Sequence, residues 1–297
     1  MPVAIGGPER ASVGTRAPPP EGSDVTDAAR PKITVPGIAA MKSSGELISM
    51  ITAYDATFAT MVDEAGIDMI LVGDSVAMVV QGRANTIGVS LAEMCYHVRM
   101  VAAAAPRALI VGDLPFGTYQ SSPQQAVESS VEVLKAGAEA VKLEGGVSVA
   151  EAIAAITAVD IPVVGHIGLT PQSYHRMGGH RVQGRTEGST PGGRERLLAD
   201  AAAVEDAGAF ALVVEGVPRN LAAEITEAVG IPTIGIGAGP DCDGQVLVLH
   251  DVLGLSDARY KFTTQYANLK QVGIEAVRAY CDDVKHRRWP DDEHSFH

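Results

Sequence analysis

Three segments of the chain share one pattern of apolar and polar positions. Each begins with a charged residue before Ala-Gly, continues through a run of mostly aliphatic residues, and ends with a carboxylate beside a glycine. They are 64–74, 135–145 and 206–216, so that successive copies begin 71 residues apart. A fixed period of this kind indicates an architecture built from repeated structural units.

Each copy predicts the end of a helix followed by a buried strand. The glycines Gly66, Gly137 and Gly208 suit the left-handed backbone conformation in which many helices end. The continuous apolar run after them is typical of a parallel strand covered on both faces. A second pair of similar segments, 161–168 and 231–239, has nearly the same separation, which gives two strands per repeat. About four repeats in a core of ~250 residues predict eight strands, and therefore an α/β fold, a single-domain (β/α)8 TIM barrel.

Local signals agree with this interpretation. The two Ser-x-x-Glu sequences at 90–93 and 148–151 predict capping boxes at helix starts, and Ser122 before Pro123 predicts another helix start. An open, doubly wound sheet would need a glycine-rich turn after its first strand, and residues 53–57 contain no glycine. The predicted strands lie at 48–53, 69–73, 109–113, 140–143, 163–166, 211–214, 233–236 and 246–249.

The ends of the chain differ in composition from its centre. Residues 1–30 are rich in Pro, Gly, Ala and Ser, which predicts a disordered leader because little apolar surface is available to bury. The barrel is expected over 31–285 and a frayed tail over 286–297. A final helix at about 267–285 either packs on its own barrel or docks onto a neighbouring subunit. Its apolar positions are Leu269, Val272, Ile274, Val277 and Tyr280.

Charge and cysteine content narrow the function classes. The chain has 23 Lys and Arg against 36 Asp and Glu, a net charge of −13, which argues against nucleic-acid or anionic-membrane partners. No apolar stretch approaches the ~20 residues that span a bilayer. The three cysteines have no paired spacing, which fits a reducing compartment without disulfides. We expect a cytoplasmic protein.

Polar residues follow the predicted strands at their carboxyl ends, where TIM-barrel active sites are built. Burial of an unpaired charge is strongly unfavourable, so several charged groups at one rim indicate a shared function. Asp74, Asp113 and Glu144 follow three consecutive strands and would repel one another without a cation. Oxygen ligands without cysteine favour Mg²⁺ over zinc. The strand-end residues are Asp74, Ser75, Asp113, Lys142, Glu144, His166 and Glu215.

Each carboxylate also has a structural interpretation. Asp74 is the kind of residue that caps a following helix. Asp113 precedes Leu-Pro and suits a turn. Glu144 and Glu215 would fit loops that face solvent. The catalytic alternative for Glu215 is a general base, because it lies further round the ring than the three metal candidates.

The sequence leaves more than one role possible for two other strand-end residues, Lys142 and His166. Lys142 could pair with a carboxylate, bind the carboxylate of a substrate, or form a Schiff base. His166 is either a core histidine or a hydrogen-bond partner of substrate. The Gly-rich loop after the fifth strand is predicted to be a mobile cover or an anion-binding segment, and it carries His175, His180, Arg181 and Arg185.

A series of short motifs at the strand ends and in the adjoining loops carries a resemblance to a known family. The motifs are Gly73-Asp-Ser, Gln81-Gly, Asp113-Leu-Pro-Phe, Lys142-Leu-Glu-Gly-Gly, Gly165-His-Ile-Gly-Leu-Thr-Pro-Gln, Val182-Gln-Gly-Arg, Glu215-Gly-Val-Pro and Ile234-Gly-Ile-Gly-Ala-Gly. Together they resemble the ketopantoate hydroxymethyltransferase family, from about residue 32 to 285, and the Gly-His-Ile-Gly-Leu-Thr-Pro-Gln stretch is highly specific. The resemblance implies a phosphoenolpyruvate/pyruvate-type barrel, one Mg²⁺ per subunit, 5,10-methylenetetrahydrofolate as co-substrate, and a large homo-oligomer, often a decamer.

The resemblance also implies roles for individual residues. The metal site would be Asp74, Asp113 and Glu144. Contacts to the oxo acid would come from Asp74, Ser75, Asp113 and Lys142, and Glu215 would be the catalytic acid/base. The implied reaction adds a hydroxymethyl group to 3-methyl-2-oxobutanoate through a Mg²⁺-stabilised enolate and gives ketopantoate, the first step of pantothenate biosynthesis.

The chain departs from the family pattern at two loop positions. Thr86-Ile-Gly-Val replaces the usual Leu-Pro-Val after Thr, and His180 stands where an aromatic residue is common. Both departures bear on loop closure or folate contacts. The alternative functions are a lyase or mutase of the same barrel superfamily acting on a 2-oxo acid, and a non-catalytic, metal-dependent 2-oxo-acid-binding protein.

Overall fold

Eight parallel strands form a closed barrel in the computed structural model, which describes residues 31–257 and 260–296. Each strand pairs with its neighbours in chain order, and the last pairs with the first. The predicted leader lies outside the described residues. The strands are β1 Ile48–Thr52, β2 Met69–Val72, β3 Leu109–Asp113, β4 Ala140–Glu144, β5 Val163–Gly168, β6 Ala211–Glu215, β7 Thr233–Ile236 and β8 Gly244–Leu247.

Helices connect the strands and surround the barrel. The long ones between β2 and β7 alternate with the strands, as the repeats predict. They are α1 Val35–Ser44, α2 Ala56–Glu64, α3 Val76–Val79, α4 Leu91–Ala104, α5 Pro123–Lys135, α6 Ala150–Thr157, α7 Tyr174–Met177, α8 Arg194–Asp206, α9 Arg219–Ala228, α10 Leu249–Val252 and α11 Leu269–Lys285. The predicted single-domain (β/α)8 barrel is confirmed.

The first seven strands begin at their predicted residues and end within two residues of the predicted ends, whereas the eighth is shifted as a whole. It begins and ends two residues earlier than 246–249. Leu249 instead begins α10, and its N–H donates to the Thr52 hydroxyl at 3.1 Å. Gly244 allows the earlier start, because a Cβ there would lie 2.4 Å from the carbonyl oxygen of Ile48.

Two of the three predicted helix starts are confirmed. The Ser90 side chain and Glu93 form a reciprocal capping box at the start of α4. The Ser122 hydroxyl accepts from the backbone N–H of Gln125, with Pro123 in the first turn of α5. Gly66, at the end of α2, has a φ of 87°, as its predicted left-handed conformation requires.

The second predicted capping box, at 148–151, is wrong. Residues Val147–Val149 form a 3-10 helix, and α6 begins after it without a side-chain cap. The backbone N–H of Val147 donates instead to Asp200 Oδ1 at 2.9 Å. Because α8 supplies this acceptor, the start of the helical segment is stabilised by a distant residue and needs no local serine.

The amino-terminal end of the barrel is closed by α1. Ile38 is fully buried in the cluster that fills the barrel interior, together with Met69 and Leu109. A second apolar cluster lies between the outer face of the sheet and the helices. With one end of the barrel filled, the open end is the carboxyl end of the strands.

The last helix, α11, does not pack on the barrel core. None of its residues is buried. Its apolar positions are between 37% and 61% exposed: Leu269, Val272, Ile274, Val277 and Tyr280. The alternative in which this helix packs on its own barrel is therefore wrong for the chain as described, and docking onto a neighbour stays a prediction.

The segment after α11 has one regular element. Asp292–His294 forms a single 3-10 turn, and the ring of Trp289 lies 4.2 Å from the ring of His294. The frayed tail stays a prediction. Across the described part of the chain, no helix combines the length and apolar character that a membrane span needs.

Candidate active site

A cavity of about 410 Å³ opens at the carboxyl ends of the strands. Every strand-end residue that the sequence analysis selected lines this cavity, so the predicted convergence is confirmed. Their roles are not decided by the convergence alone. The residues are Asp74, Ser75, Asp113, Lys142, Glu144, His166 and Glu215.

Three buried carboxylates lie at the bottom of the cavity. Asp74 is 4% exposed, Asp113 1% and Glu144 6%. The backbone N–H of Asp74 donates to Asp113 Oδ2 at 3.0 Å. Burial, followed by the charge of Asp113, raises the pKa of Asp74 to about 7. Burial and the charge of Asp74 also raise the pKa of Glu144 well above its ordinary value. The three carboxylates therefore resist full ionisation unless further positive charge is added.

Lys142 is the buried cation of this cluster. Its Nζ lies 2.7 Å from Asp113 Oδ1. Burial opposes protonation of the amine, but the charges of Asp113, Glu144 and Asp74 outweigh it and raise the pKa of Lys142. A Schiff base needs a neutral amine, so this environment does not favour that alternative. The ion-pair alternative is what the contacts show.

His166 connects Lys142 to Glu215. Its Nδ1 lies 3.3 Å from Lys142 Nζ, and its Nε2 lies 3.1 Å from Glu215 Oε2. An ammonium group has only donors, so Nδ1 accepts and the ring proton sits on Nε2, facing Glu215. Burial and the Lys142 charge hold the pKa of His166 well below its ordinary value. The ring is therefore neutral. Its Nε2 has no hydrogen-bond partner and the residue lines the cavity, so the core-histidine and substrate-contact alternatives both stay open.

Glu215 ends β6, and its side chain is 18% exposed to the cavity. Burial raises the pKa of Glu215 to about 7, although the charges of Lys142 and His180 act against this rise. A carboxyl group that is half ionised near neutral pH can both accept and return a proton. Its position and pKa suit a general acid/base.

The loop after β5 contributes one of its predicted residues to the cavity. His180 lines the wall and meets the ring of Tyr174 edge-on, with 5.4 Å between centroids. His175, Arg181 and Arg185 do not line the cavity. Thr86, which directly precedes the other departure from the family pattern, is buried in the cavity wall. Closure of the loop and anion binding by it stay predictions.

Several residues of the site were missed by sequence reasoning. Tyr54 follows β1, and its hydroxyl lies 2.8 Å from the Ser75 hydroxyl. Its place after a predicted strand was a usable signal, as was the place of Gln172 at the end of a distinctive motif. Tyr119 lies in the loop between β3 and α5, not directly after a predicted strand, and so its sequence position gave no signal. Tyr260, near the cavity mouth, also lies in a loop.

The carboxylates fit a hard cation in part. Among residues 31–257 and 260–296, no group of three or more His, Cys, Asp or Glu side chains has the spacing of a ready-made metal site. Glu144 Oε1 is nevertheless buried without a hydrogen-bond partner, and the pKa of Asp74 is raised to about 7. Proteins usually hold Mg²⁺ through one or two carboxylates, with water or substrate oxygens completing the shell. The oxygens present are of this type.

Solved structures of other proteins share the barrel fold of this chain. Phosphonopyruvate hydrolase in complex with oxalate and Mg²⁺ matches with a TM-score of 0.58 over 89% of this chain and 91% of that one, at 14% identity. A 2,3-dimethylmalate lyase of the PEP mutase/isocitrate lyase superfamily matches with a TM-score of 0.56 over 88% of each chain, at 17% identity. These likenesses establish the fold alone, which is the predicted (β/α)8 barrel; the phosphoenolpyruvate/pyruvate type stays a prediction.

Sequence relatives are much closer. A 3-methyl-2-oxobutanoate hydroxymethyltransferase from Pelobacter propionicus is 52% identical over 270 residues, which cover 90% of this chain and 98% of that protein. The protein of the same name from Geotalea daltonii is 54% identical over 266 residues, covering 89% and 98%. The sequence profile of the ketopantoate hydroxymethyltransferases matches residues 32–292. The chain therefore belongs to the ketopantoate hydroxymethyltransferase family of enzymes.

Proposed function

We propose that this enzyme transfers a hydroxymethyl group from 5,10-methylenetetrahydrofolate to 3-methyl-2-oxobutanoate and gives ketopantoate, the first step of pantothenate biosynthesis. Relatives that share 52–54% of their residues with this chain carry the name of this activity. The observation that carries the proposal is the arrangement of Glu215, with a pKa of about 7, beside a buried Lys142 and three buried carboxylates in one cavity.

The oxo acid would bind at the bottom of the cavity. Lys142 offers a buried ammonium group for the carboxylate of the substrate, and its pairing with Asp113 at 2.7 Å keeps it charged. The Ser75 hydroxyl, held by Tyr54 at 2.8 Å, offers a second polar contact. His166 lines the same wall. Asp74 and Asp113 complete the set of groups assigned to the oxo acid.

Asp74, Asp113 and Glu144 would hold Mg²⁺, one ion per subunit. The buried and unpartnered Glu144 Oε1 and the raised pKa of Asp74 support this assignment. Mg²⁺, when bound, would draw electron density from the 2-oxo group and stabilise the enolate. Every other step is assigned to side chains of the protein.

Glu215 would remove the proton at C3 of the oxo acid. His166 Nε2 lies 3.1 Å from Glu215 Oε2 without the geometry of a hydrogen bond, so the ring borders the carboxylate but does not orient it. C3 then forms a bond with the methylene carbon of the folate. The two bonds from that carbon to the folate nitrogens are broken, and water adds its hydroxyl group to the carbon and its proton to one of the nitrogens. The protonated Glu215 returns the C3 proton to the other nitrogen, and tetrahydrofolate leaves.

The folate would occupy the mouth of the cavity. At about 410 Å³ the cavity is in the size range of pockets for drug-sized ligands, which exceeds the needs of a five-carbon acid. Tyr260 and Phe262 line the mouth as a stacked pair, with 5.4 Å between centroids and 11° between planes. They are 39% and 43% exposed. Their rings offer a flat apolar surface to the pteridine or aminobenzoyl ring.

We further propose a cytoplasmic homo-oligomer, with a decamer as the expected form. The exposed apolar positions of α11 support contact with a second copy of the chain, because they lie on a helix without any buried residue. The cysteines of the described chain, Cys95, Cys242 and Cys281, are all free, as expected in a reducing compartment.

The proposed reaction is tested by mixing the purified protein with 3-methyl-2-oxobutanoate, 5,10-methylenetetrahydrofolate and Mg²⁺, and following ketopantoate by NMR with and without EDTA. Metal-dependent formation of ketopantoate is the expected result. Binding of the oxo acid and metal without any product would overturn the proposed reaction and favour a lyase, a mutase or a binding protein.

A further inference from the structure

Gln172 lies buried between the carboxylates at the bottom of the active site and is 5% exposed. Its side-chain Nε2 donates to Asp74 Oδ2 and to the carbonyl oxygen of Leu114, each at 3.0 Å. Its Oε1 accepts from the Tyr119 hydroxyl at 2.7 Å and from Gln120 Nε2 at 3.3 Å. The amide group therefore uses both of its N–H groups and both of its acceptor positions.

These partners fix the orientation of the amide. The carbonyl oxygen of Leu114 has no proton to give, so the nitrogen of the amide must face it, and the oxygen must face Tyr119. A flipped amide would set two acceptors against each other at Leu114. The direction of the N–H that points at Asp74 is therefore fixed by Leu114 and Tyr119, which take no part in the proposed reaction.

The backbone of the same residue holds a second carboxylate. The N–H of Gln172 donates to Glu144 Oε2 at 2.9 Å, whereas Glu144 Oε1 has no hydrogen-bond partner. Tyr119 completes the arrangement, because its hydroxyl lies 3.1 Å from the carbonyl oxygen and 3.2 Å from the backbone nitrogen of Glu144. One residue thus contacts one oxygen of each of two neighbouring carboxylates.

This arrangement has a consequence for cation binding. Two buried carboxylates without a cation repel each other and would turn apart. Hydrogen bonds to one oxygen of each hold the side chains in place and leave the other oxygen for a ligand. Groups that orient metal ligands in this way typically change metal affinity by about 10- to 100-fold when they are removed.

We propose that Gln172 is a positioning residue that holds Asp74 and Glu144 so that one oxygen of each is directed to a divalent cation. The inference rests on the proposed function, which assigns Mg²⁺ to these carboxylates. Gln172 contacts neither substrate nor reacting atoms in this role. It acts through the carboxylates, and its removal should weaken metal binding more than it slows the metal-saturated reaction.

The test is Gln172→Met, which keeps the length of the side chain and removes the donor to Asp74. The backbone N–H to Glu144 is retained. We expect the Kd for Mg²⁺, measured by calorimetry without substrate, to rise about 10- to 100-fold. Activity should return toward the wild-type kcat when the Mg²⁺ concentration is raised. The matched control is Gln124→Met, at an exposed amide on α5, for which no change is expected.

A second variant covers the case in which Gln172→Met does not fold. Tyr119→Phe removes a single hydroxyl, the one that fixes Oε1 of Gln172, and should raise the Kd for Mg²⁺ several-fold in the same direction. An unchanged Kd in a folded Gln172→Met protein, or in Tyr119→Phe if the first is unfolded, overturns the inference. So does a lower kcat that added Mg²⁺ does not restore.

The two proposals can fail separately. A wild-type protein that binds Mg²⁺ but makes no ketopantoate overturns the proposed reaction, and a rise in the Kd of Gln172→Met still supports the positioning role. A wild-type protein that makes ketopantoate but shows no measurable affinity for Mg²⁺ overturns the positioning role while the transfer reaction stands.

Discussion

Replacement of Glu215 by glutamine should have opposite effects on activity and on stability. Burial raises the pKa of Glu215 from an ordinary value of 4.5 to about 7. This rise makes ionisation of Glu215 in the folded protein about 3 kcal/mol less favourable than in the unfolded chain, at about 1.4 kcal/mol for each pKa unit. The cost falls on the ionised carboxylate, which is the form that the proposed reaction needs as a base. Glu215→Gln removes both the base and the buried charge.

The sign of the stability effect follows from the direction of this pKa change. A carboxyl group with a raised pKa in the folded protein contributes stability that is fully present below pH 4.5 and is lost as the pH rises through about 7. At pH 8 the folded wild type therefore carries the full cost. Glu215→Gln should raise the free energy of unfolding at pH 8 by up to about 3 kcal/mol, with little change at pH 5.

The activity of the same variant should fall. Loss of a general base typically costs about 10²- to 10⁴-fold in turnover. In the wild type, kcat/KM should decline below pH 7 as Glu215 is protonated, and this limb should be absent from the variant. Initial rates of ketopantoate formation from pH 5.5 to 9, and urea unfolding at pH 5 and pH 8, measure the two effects.

The control for both measurements is Glu128→Gln, at an exposed carboxylate on α5. It should leave the pH profile and the stability unchanged. Wild-type turnover in Glu215→Gln would remove this residue from the proposed mechanism. Equal stability of the variant and the wild type at pH 8 would refute the buried charge as the source of the raised pKa.

Three other variants, one of them with a matched control, test the remaining assignments. Asp74→Ala should lose affinity for Mg²⁺ in calorimetry, and an unchanged affinity would refute its role as a ligand. Phe262→Leu should raise the KM for the folate several-fold and leave the KM for the oxo acid unchanged, whereas Tyr266→Leu, an exposed tyrosine outside the cavity lining, should change neither. Val277→Asp on α11 should shift the protein to smaller species in light scattering if that helix lies between subunits, and an unchanged mass would remove it from the interface.

The barrel could be predicted because its signals are local and repeated. The apolar strands and the glycines after the helices recur with a fixed period. The carboxyl ends of parallel strands meet at one end of a barrel, so Asp74, Asp113 and Glu144 could be grouped from their places along the chain alone. The start of α4 was also predictable, because Ser90 and Glu93 cap each other within one turn.

The errors arose where distant residues replaced local partners. At 148–151 the expected serine cap is absent, since Asp200 on α8 accepts from Val147 instead. The eighth strand was predicted two residues too late. It begins at Gly244, whose backbone lies so close to that of Ile48 that a side chain would not fit. Neither contact leaves a trace in the nearby sequence.

The chemistry of individual site residues was also beyond the sequence. His166 stood at a strand end, but its neutral form depends on burial and on the ammonium group of Lys142 at 3.3 Å. Gln172 contacts Asp74 across 98 positions of the chain and Tyr119 across 53. Hydrogen bonds of this range depend on the closed barrel and cannot be read from local motifs.

The helix α1 at the amino-terminal end of the barrel has a kinetic consequence. Because Ile38 and its neighbours fill that end, every reactant must enter and every product must leave through the same opening. In the proposed function the oxo acid occupies the bottom and the larger folate the mouth, so the small substrate would arrive first and the spent folate would depart before ketopantoate. A folate that bound too early would then block its own partner, and the fold would impose a compulsory order on the proposed cycle.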